Sequence, residues 1–361
     1  MAVNAPFGRS ERVISAVLGL MVFSVAPSSA QPAPHKWAVV IHGGAGVITR
    51  ESMDAQTEAA YRASLRKALD TASGILSNGG SSLDAVEKAI SLLEDDPLFN
   101  AGRGAVFTSD GKIELDAAIM NGTTLQAGSV AAVTRTRHPI SLARAVMEKS
   151  PHVMLIGPSA DAFAKENGLE QVDQSFFFTE RRWQELVRQL ERAGQPVPPR
   201  PPGAPPAPAK PKASVDRAES HLFGTVGMAA LDRQGNLAAG TSTGGTTGKR
   251  PGRVGDTPII GAGTYASNAS CAVSGTGVGE YFIRLTVARE ICALVQYRGM
   301  SVQAAADEVV QKKLAAMKGD GGVIVLGPDG KIAWSFNTQG MYRAKVVEGG
   351  QSQVSIFKSE P

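Results

Sequence analysis

Residues 224–227 read Gly-Thr-Val-Gly and residues 241–245 read Thr-Ser-Thr-Gly-Gly. Residues 251–256 read Pro-Gly-Arg-Val-Gly-Asp, and 274–280 read Ser-Gly-Thr-Gly-Val-Gly-Glu. Three threonine–glycine groups and one arginine–aspartate group thus fall between 224 and 280. Threonine suits strands, so a single threonine needs no chemical explanation. An Arg253–Asp256 spacing alone fits a surface ion pair across a turn. The grouping of hydroxyls, glycines and opposite charges is what marks a site, because glycine lets backbone amides approach a ligand closely.

Working outward, residues 225–232 and 236–242 read as two strands joined by a turn at Arg233-Gln234-Gly235. Residues 269–274 read as a strand, 280–297 and 301–317 as helices, and 322–326 with 331–336 as a hairpin around Pro328-Asp329-Gly330. Upstream, nine of the 21 prolines lie between Pro196 and Pro211. Such a stretch buries little apolar surface, so 196–213 is expected to be a disordered or polyproline linker. Before it, 37–41 (WAVVI) reads as a strand ending in the glycine-rich turn His42-Gly43-Gly44-Ala45-Gly46. Residues 54–77 have helical spacing, and Ser81 with Asp84 resembles a capping box for a helix over 82–94. Strands are expected at 128–133 and 152–156 with a helix at 141–148 between them. Residues 179–193 read as a charged surface helix.

The 361 residues carry 43% hydrophobic and 19% charged residues, which supports a substantial core and excludes wholesale disorder. The 40 glycines have no three-residue period, so collagen is excluded. A net charge of +4 without a basic run gives no electrostatic case for nucleic acid. No pair among the five histidines has metal-ligand spacing, which argues against zinc catalysis. There is no G-x-S-x-G elbow and no phosphate-binding P-loop, and the 43–46 loop lacks the dinucleotide pattern.

Arg9 and Arg12 precede an apolar run over 13–25, followed by Pro27-Ser28-Ser29-Ala30. That layout predicts a signal peptide over 1–30 and a periplasmic or secreted protein. The run is well short of the roughly 20 residues of a membrane span. Export permits a disulfide between Cys271 and Cys292. Buried free thiols are nevertheless the expectation for the two cysteines.

The chain resembles the plant-type (type 2) asparaginases, or isoaspartyl peptidases, among the N-terminal nucleophile hydrolases. The resemblance spans about Trp37 to Arg343. It rests on HGGAG at 42–46, PLFNAGRGAVF at 97–107, ELDAAIM at 114–120, SPHVMLIG at 150–157 and the four groups quoted first. It implies an α+β fold, a four-layer αββα sandwich, and self-cleavage between Gly224 and Thr225. The products would be an α chain of about 31–224 and a β chain of 225–361, paired as (αβ)₂. One departure is Phe223, where relatives often carry histidine, which bears on processing speed.

The resemblance also implies roles. Thr225 becomes the nucleophile, with its freed α-amine as base. Thr243 hydrogen-bonds the Thr225 hydroxyl. The Thr276 hydroxyl and Gly277 N–H form the oxyanion hole. Arg253 takes a substrate carboxylate, and Asp256 with backbone around Gly277 and Gly279 takes an ammonium; Val254, Gly255 and Val278 complete the substrate-binding set. Asn100 and the His42–Gly46 loop brace the nucleophile. No cofactor is needed for catalysis. A structural sodium ion is expected on backbone carbonyls of Leu93, Glu94, Asp96, Phe99, Ala101 and Arg103, since a hard cation prefers oxygen. The implied substrates are L-asparagine and β-aspartyl dipeptides, with no nucleic-acid partner and no membrane after signal cleavage. The alternatives are a glycosylasparaginase of the same fold and an unprocessed exported protein that binds aspartyl compounds.

Overall fold

The structure, a computed structural model, describes residues 35–207 and 224–361. The expected signal peptide, Phe223 and the linker beyond 207 lie outside these residues. The first part runs β1 (Ala38–Gly46), α1 (Ala55–Ser77), α2 (Ser82–Asp95), β2 (Leu115–Asn121) and β3 (Ala127–Val133). It continues through α3 (Pro139–Lys149), β4 (Met154–Ile156), α4 (Gly157–Glu166), α5 (Gln174–Phe177) and α6 (Glu180–Arg192). The second part begins with β5 (Thr225–Leu231), β6 (Leu237–Thr243), β7 (Thr264–Ala266) and β8 (Ala272–Gly277). After it come α7 (Gly279–Leu285), α8 (Val287–Arg298) and α9 (Val302–Asp307), which runs on into a π-helical stretch, Glu308–Leu314. The part closes with β9 (Gly321–Leu326), β10 (Ile332–Phe336), β11 (Gly340–Val347) and β12 (Gln353–Phe357).

An eight-stranded sheet has the order β12-β11-β1-β5-β6-β2-β3-β4, and a four-stranded sheet has the order β10-β9-β8-β7. Side chains alternate across each strand, and the alternation separates three apolar layers. Val226, Met228 and Ala230 of β5 pack outward with Leu65 and Leu69 of α1 and Ile90 of α2. Ala229 and Leu231 pack the other way, with Val40, Ala239, Ile324 and Leu326 between the two sheets. Val323 and Val325 of β9 face Ile291 of α8, Ala305 of α9 and Val310. Three cores between four layers is the αββα sandwich. Each fully buried leucine or isoleucine contributes roughly 1.5–3 kcal/mol.

The helix starts follow local chemistry. Asp54 caps α1 by accepting from the Thr57 amide. Ser81 accepts from the Asp84 amide at 3.1 Å while its hydroxyl donates to the Asp84 carboxylate at 2.6 Å, so the expected capping box forms. Other expectations need correction. β1 does not stop before the glycines; it runs through Gly46, with a bulge against β11 between His42 and Ala45. The helix expected over 280–297 breaks at Thr286, which has φ 47 and ψ 51. Its successor is anchored elsewhere: the amides of Ala288 and Arg289 donate to the carbonyls of Ala262 and Gly261. The expected surface helix at 179–193 buries Arg182, Trp183, Leu186 and Leu190.

Part of the expected proline-rich linker is instead held against the fold around Arg200, whose Nη2 also donates to the Pro205 carbonyl at 2.8 Å. Arg200 pairs with Glu180 at 2.7 Å and lies over the Phe178 ring at 5.0 Å. Among the described residues no helix is long and apolar enough to cross a membrane.

Cys271, just before β8, and Cys292, on α8, form a disulfide, which corrects the expectation of free thiols. The Cα atoms are 5.4 Å apart because α8 packs on the four-stranded sheet. The bond spans 21 residues of sequence, and closing a loop of that size is worth about 3 kcal/mol in the chain-entropy model. Denaturant unfolding with and without reductant should therefore differ by about that amount. Cys271→Ser should match the reduced protein and show no further response to reductant.

Candidate active site

Strand parity decides what meets between the sheets. On β5 the inward residues include Thr225 and Gly227; on β6 they are Thr241 and Thr243. On β1 the inward residue is His42, and on β8 they are Ser274 and Thr276. At one end of the sandwich the space between the sheets is therefore hydroxyl-rich rather than apolar. β5 and β6 pair antiparallel with Thr225 opposite Thr243, and β2 places Asp116 opposite Thr243 on its other side.

The Thr225 hydroxyl donates to Thr243 Oγ1 at 3.1 Å. Thr243 Oγ1 also accepts from the Gly245 amide at 2.9 Å and donates to the Gly224 carbonyl at 3.4 Å. One chain of hydrogen bonds thus links the Thr225 hydroxyl to the carbonyl of the preceding peptide. Gly224 and Gly44 make this geometry possible. A Cβ on Gly44, which has φ +111, would stand 2.8 Å from the Gly224 Cα. Asn100 braces the same point: its Nδ2 donates to the Gly245 carbonyl at 2.7 Å, and its carbonyl accepts from the Gly244 amide. Thr276 Oγ1 accepts from the Ala45 amide at 3.3 Å, which leaves its own proton free to donate. Gly277 pairs with Gly321 at the end of β8.

Behind Thr225 lies a network that residue-by-residue reading of the sequence does not show. His42 Nε2 and Ser274 Oγ are 2.8 Å apart, and Ser274 Oγ lies 2.7 Å from Thr241 Oγ1. Thr264 donates to Thr241 at 2.6 Å. All four side chains are buried. Gly227 gives them room, since a Cβ there would stand 1.9 Å from Ser274 Oγ. The signal was present as period-two spacing: Thr241 and Ser274 are two residues before Thr243 and Thr276. Burial lowers the His42 pKa to about 3, so the ring is neutral at physiological pH.

Arg253 and Asp256 come together around Gly279. A Cβ at Gly279 would be 2.9 Å from Arg253 Nη2 and 3.0 Å from Asp256 Oδ1. Gly255 is crowded by Arg253 Nη1 in the same way, and Val254 and Val278 are half-buried at the edges. Asp256 is 6% exposed, and its Oδ2 has no hydrogen-bond partner. Burial raises its pKa to about 7. A buried carboxylate with one oxygen left without a donor suits a cationic ligand group. The simple i, i+3 ion pair does not form: Arg253 is bound by Glu280 instead, at 2.9 Å. Neither Glu280 nor the buried Lys249 was singled out in the sequence. Lys249 Nζ donates to the Glu114 carbonyl at 2.9 Å, close to the equally buried Asp116.

The 93–103 loop folds back on itself through backbone hydrogen bonds. The carbonyls of Leu93, Glu94 and Asp96 accept the amides of Asp96, Arg103 and Phe99. Those of Pro97 and Leu98 accept from Arg181 Nη2. Those of Phe99, Ala101 and Arg103 accept no hydrogen bond among the described residues. A Cβ on Gly104 would stand 2.7 Å from the Phe99 carbonyl, so glycine keeps that oxygen uncovered. Free carbonyls in a tight loop fit a hard monovalent cation. Among the described residues there is no cluster of three His, Cys, Asp or Glu side chains suited to a metal. The Glu94 side chain points elsewhere; it is buried, accepts from Ser242 at 2.6 Å, and has its pKa raised to about 8 by desolvation.

A family model described as asparaginase matches residues 35–356. The chain belongs to the asparaginase family. It is 47% identical over 332 residues to an isoaspartyl peptidase of Escherichia coli K12, covering 90% of this chain and 97% of that protein. It is 39% identical to a probable isoaspartyl peptidase/L-asparaginase 2 of Arabidopsis thaliana, over 89% and 99% of the two chains. A plant-type L-asparaginase of Pyrococcus furiosus is 40% identical, over 86% and 97%. As an asparaginase-family member the chain is a hydrolase with the N-terminal-nucleophile fold.

The buried network makes a pH prediction. His42 titrates near 6.5 when unfolded and at about 3 when folded. Between those values the unfolded chain binds the extra proton, so this group's contribution to stability is lost as pH falls from 6.5 toward 3. The slope approaches about 1.4 kcal/mol per pH unit. Asp256 and Glu94 have raised pKa values and act with the opposite sign above about pH 4. Comparing denaturant unfolding of the parent and His42→Gln from pH 4 to 7 isolates the His42 limb, which the variant should lack.

Proposed function

We propose that this chain is a self-cleaving threonine hydrolase that splits β-aspartyl dipeptides and L-asparagine, releasing L-aspartate. The observation that carries the reading is the chain of hydrogen bonds from the Thr225 hydroxyl through Thr243 to the Gly224 carbonyl. It stands beside an arginine and a buried aspartate whose Oδ2 has no donor. The names of the relatives support the same substrates.

In maturation, Thr225 Oγ1 attacks the Gly224 carbonyl carbon, and its proton passes to the departing Thr225 nitrogen. The C–N bond breaks and an ester forms. Water then hydrolyses the ester, leaving the Gly224 carboxylate and a free Thr225 α-amine. Thr243 polarises the Gly224 carbonyl during the first step. The new amine has an ordinary pKa of roughly 7.7–8.0, so a sizeable fraction is neutral near pH 7.5 and can accept the hydroxyl proton. His42 is too weak a base to replace it.

In turnover, Thr225 Oγ1 attacks the β-carbonyl of the aspartyl group. Thr276 O–H and Gly277 N–H receive the oxyanion, each donor being worth about 2.7–4 kcal/mol of barrier. Ammonia or a peptide amine leaves with a proton, and water releases L-aspartate. Arg253 holds the α-carboxylate. Asp256 holds the α-ammonium, assisted by backbone near Gly277 and Gly279, with Val254, Gly255 and Val278 shaping the walls.

Sodium, or a similar monovalent cation, would be held by carbonyls of the 93–103 loop, those of Phe99, Ala101 and Arg103 being free to take it. It would keep Asn100 in place. The protein is further proposed to be exported, as the 1–30 signal pattern suggests and the disulfide favours, and to assemble as (αβ)₂.

Two experiments test the reading. Intact mass and N-terminal sequencing should give two chains, the second starting Thr225-Val226-Gly227, and Thr225→Ala should give one uncut, inactive chain. A cut Thr225→Ala protein would sink the self-cleavage step. An uncut parent that binds aspartyl compounds would favour the binding-protein alternative, and turnover of glycosylated asparagine alone would favour a glycosylasparaginase. Second, L-aspartate affinity should rise with pH up to about 7 and then level off, as Asp256 ionises to meet the ammonium. Asp256→Asn should flatten that profile in a calorimetric titration series.

A further inference from the structure

We propose that Glu280 is a positioning residue for substrate recognition: it clamps one edge of the Arg253 guanidinium so that the other edge is presented to the α-carboxylate of an aspartyl head group. This inference rests on the function proposed above.

Glu280 lies in the first turn of α7, directly after Gly279. Arg253 Nε donates to Glu280 Oε1 at 3.0 Å, and Nη2 donates to Oε2 at 2.9 Å. Two parallel bonds fix the plane as well as the position of a guanidinium. They use the Nε/Nη2 edge. The Nη1 end is left, and it has no hydrogen-bond partner among the described residues. Gly245 and Gly255 keep it uncovered: a Cβ at either position would stand 3.3 or 2.8 Å from Nη1. Gly245 is also the residue whose amide donates to Thr243 Oγ1. The open end of the fork therefore faces the nucleophile side, and the clamped edge faces the rim.

Exposure agrees with this division. The Arg253 side chain is 17% exposed and that of Glu280 is 58% exposed. A bridge whose carboxylate is so open to water adds little to fold stability. Its effect is on where Arg253 points, because an unclamped arginine has several staggered rotamers open to it. Asp256 Oδ1 and Arg253 Nη2 stand around the same missing Cβ at Gly279. A small rotation of the fork would separate the carboxylate site from the ammonium site.

Charge and orientation predict opposite signs, which makes the test decisive. If only charge mattered, removing the Glu280 carboxylate would strengthen binding of an anion. If orientation matters, it weakens binding. The matured enzyme is assayed with β-Asp-Leu, and L-aspartate binding is measured by calorimetry. For Glu280→Ala the expected result is about a tenfold rise in KM and in the L-aspartate Kd, with kcat changed by less than about threefold. Glu280→Gln, which keeps one acceptor oxygen, should fall between. In an Arg253→Ala background, Glu280→Ala should add nothing further, since the two act as one unit. An unchanged or lowered KM and Kd, or full additivity with Arg253→Ala, would overturn the proposal. A parent enzyme that neither hydrolyses β-Asp-Leu nor binds L-aspartate would instead remove the function on which it rests, and that defect would be visible before any substitution.

Discussion

The site depends on the register of β5 against β6. Thr225 is the first residue of its strand, and pairing sets it opposite Thr243 on the face between the sheets. A slip of one residue would turn Thr225 toward the outer helices and put Val226 in its place. The register is held by what lies further along the same strands. Val226 and Met228 must reach the helix-side core while Ala229 and Leu231 reach the inter-sheet core. Apolar packing several residues away thus positions a hydroxyl that is itself in polar surroundings.

The space between the sheets changes character along its length. At one end Val40, Ile324 and Leu326 fill it with apolar side chains. At the other, His42, Thr241, Thr264 and Ser274 fill it with mutually satisfied hydroxyls and one neutral ring. The buried carboxyl groups nearby are less well satisfied. Asp116, Asp256 and Glu94 each bury a carboxylate oxygen without a partner, and burial raises all three pKa values. Unpaired buried carboxylates cost stability. At Asp256 the cost is consistent with a site shaped for a ligand's positive charge.

Much of this was legible in the residues. The paired strands at 225–231 and 237–243 follow from alternation and a glycine turn, and the helix beginning at Ser82 follows from its cap. The strands β11 and β12 have no clear signature in the residues, and β2 stands out only as a sequence motif. β11 has small and charged residues mixed among its apolar ones, and Arg343 is buried under the C-terminal residues through bonds to the Phe357 and Glu360 carbonyls. No local pattern announces that partner. Export permits a disulfide, but the sequence cannot decide it, because pairing depends on α8 lying over β8. The sequence offers no role for Glu280, since its partner Arg253 lies 27 positions away.

The sequence by itself determined the family, the nucleophile candidate, and which residue types would meet an amino-acid head group. Those rest on short ordered motifs and on the chemistry that each side chain carries wherever it stands. Only the tertiary structure decided that Thr243 reaches both the Thr225 hydroxyl and the Gly224 carbonyl, that His42 is neutral, and that Arg253 is clamped by Glu280 rather than paired with Asp256. These are distances and burials between strands and loops far apart in the chain. They are set by how two sheets pack face to face, and no stretch of sequence encodes that locally.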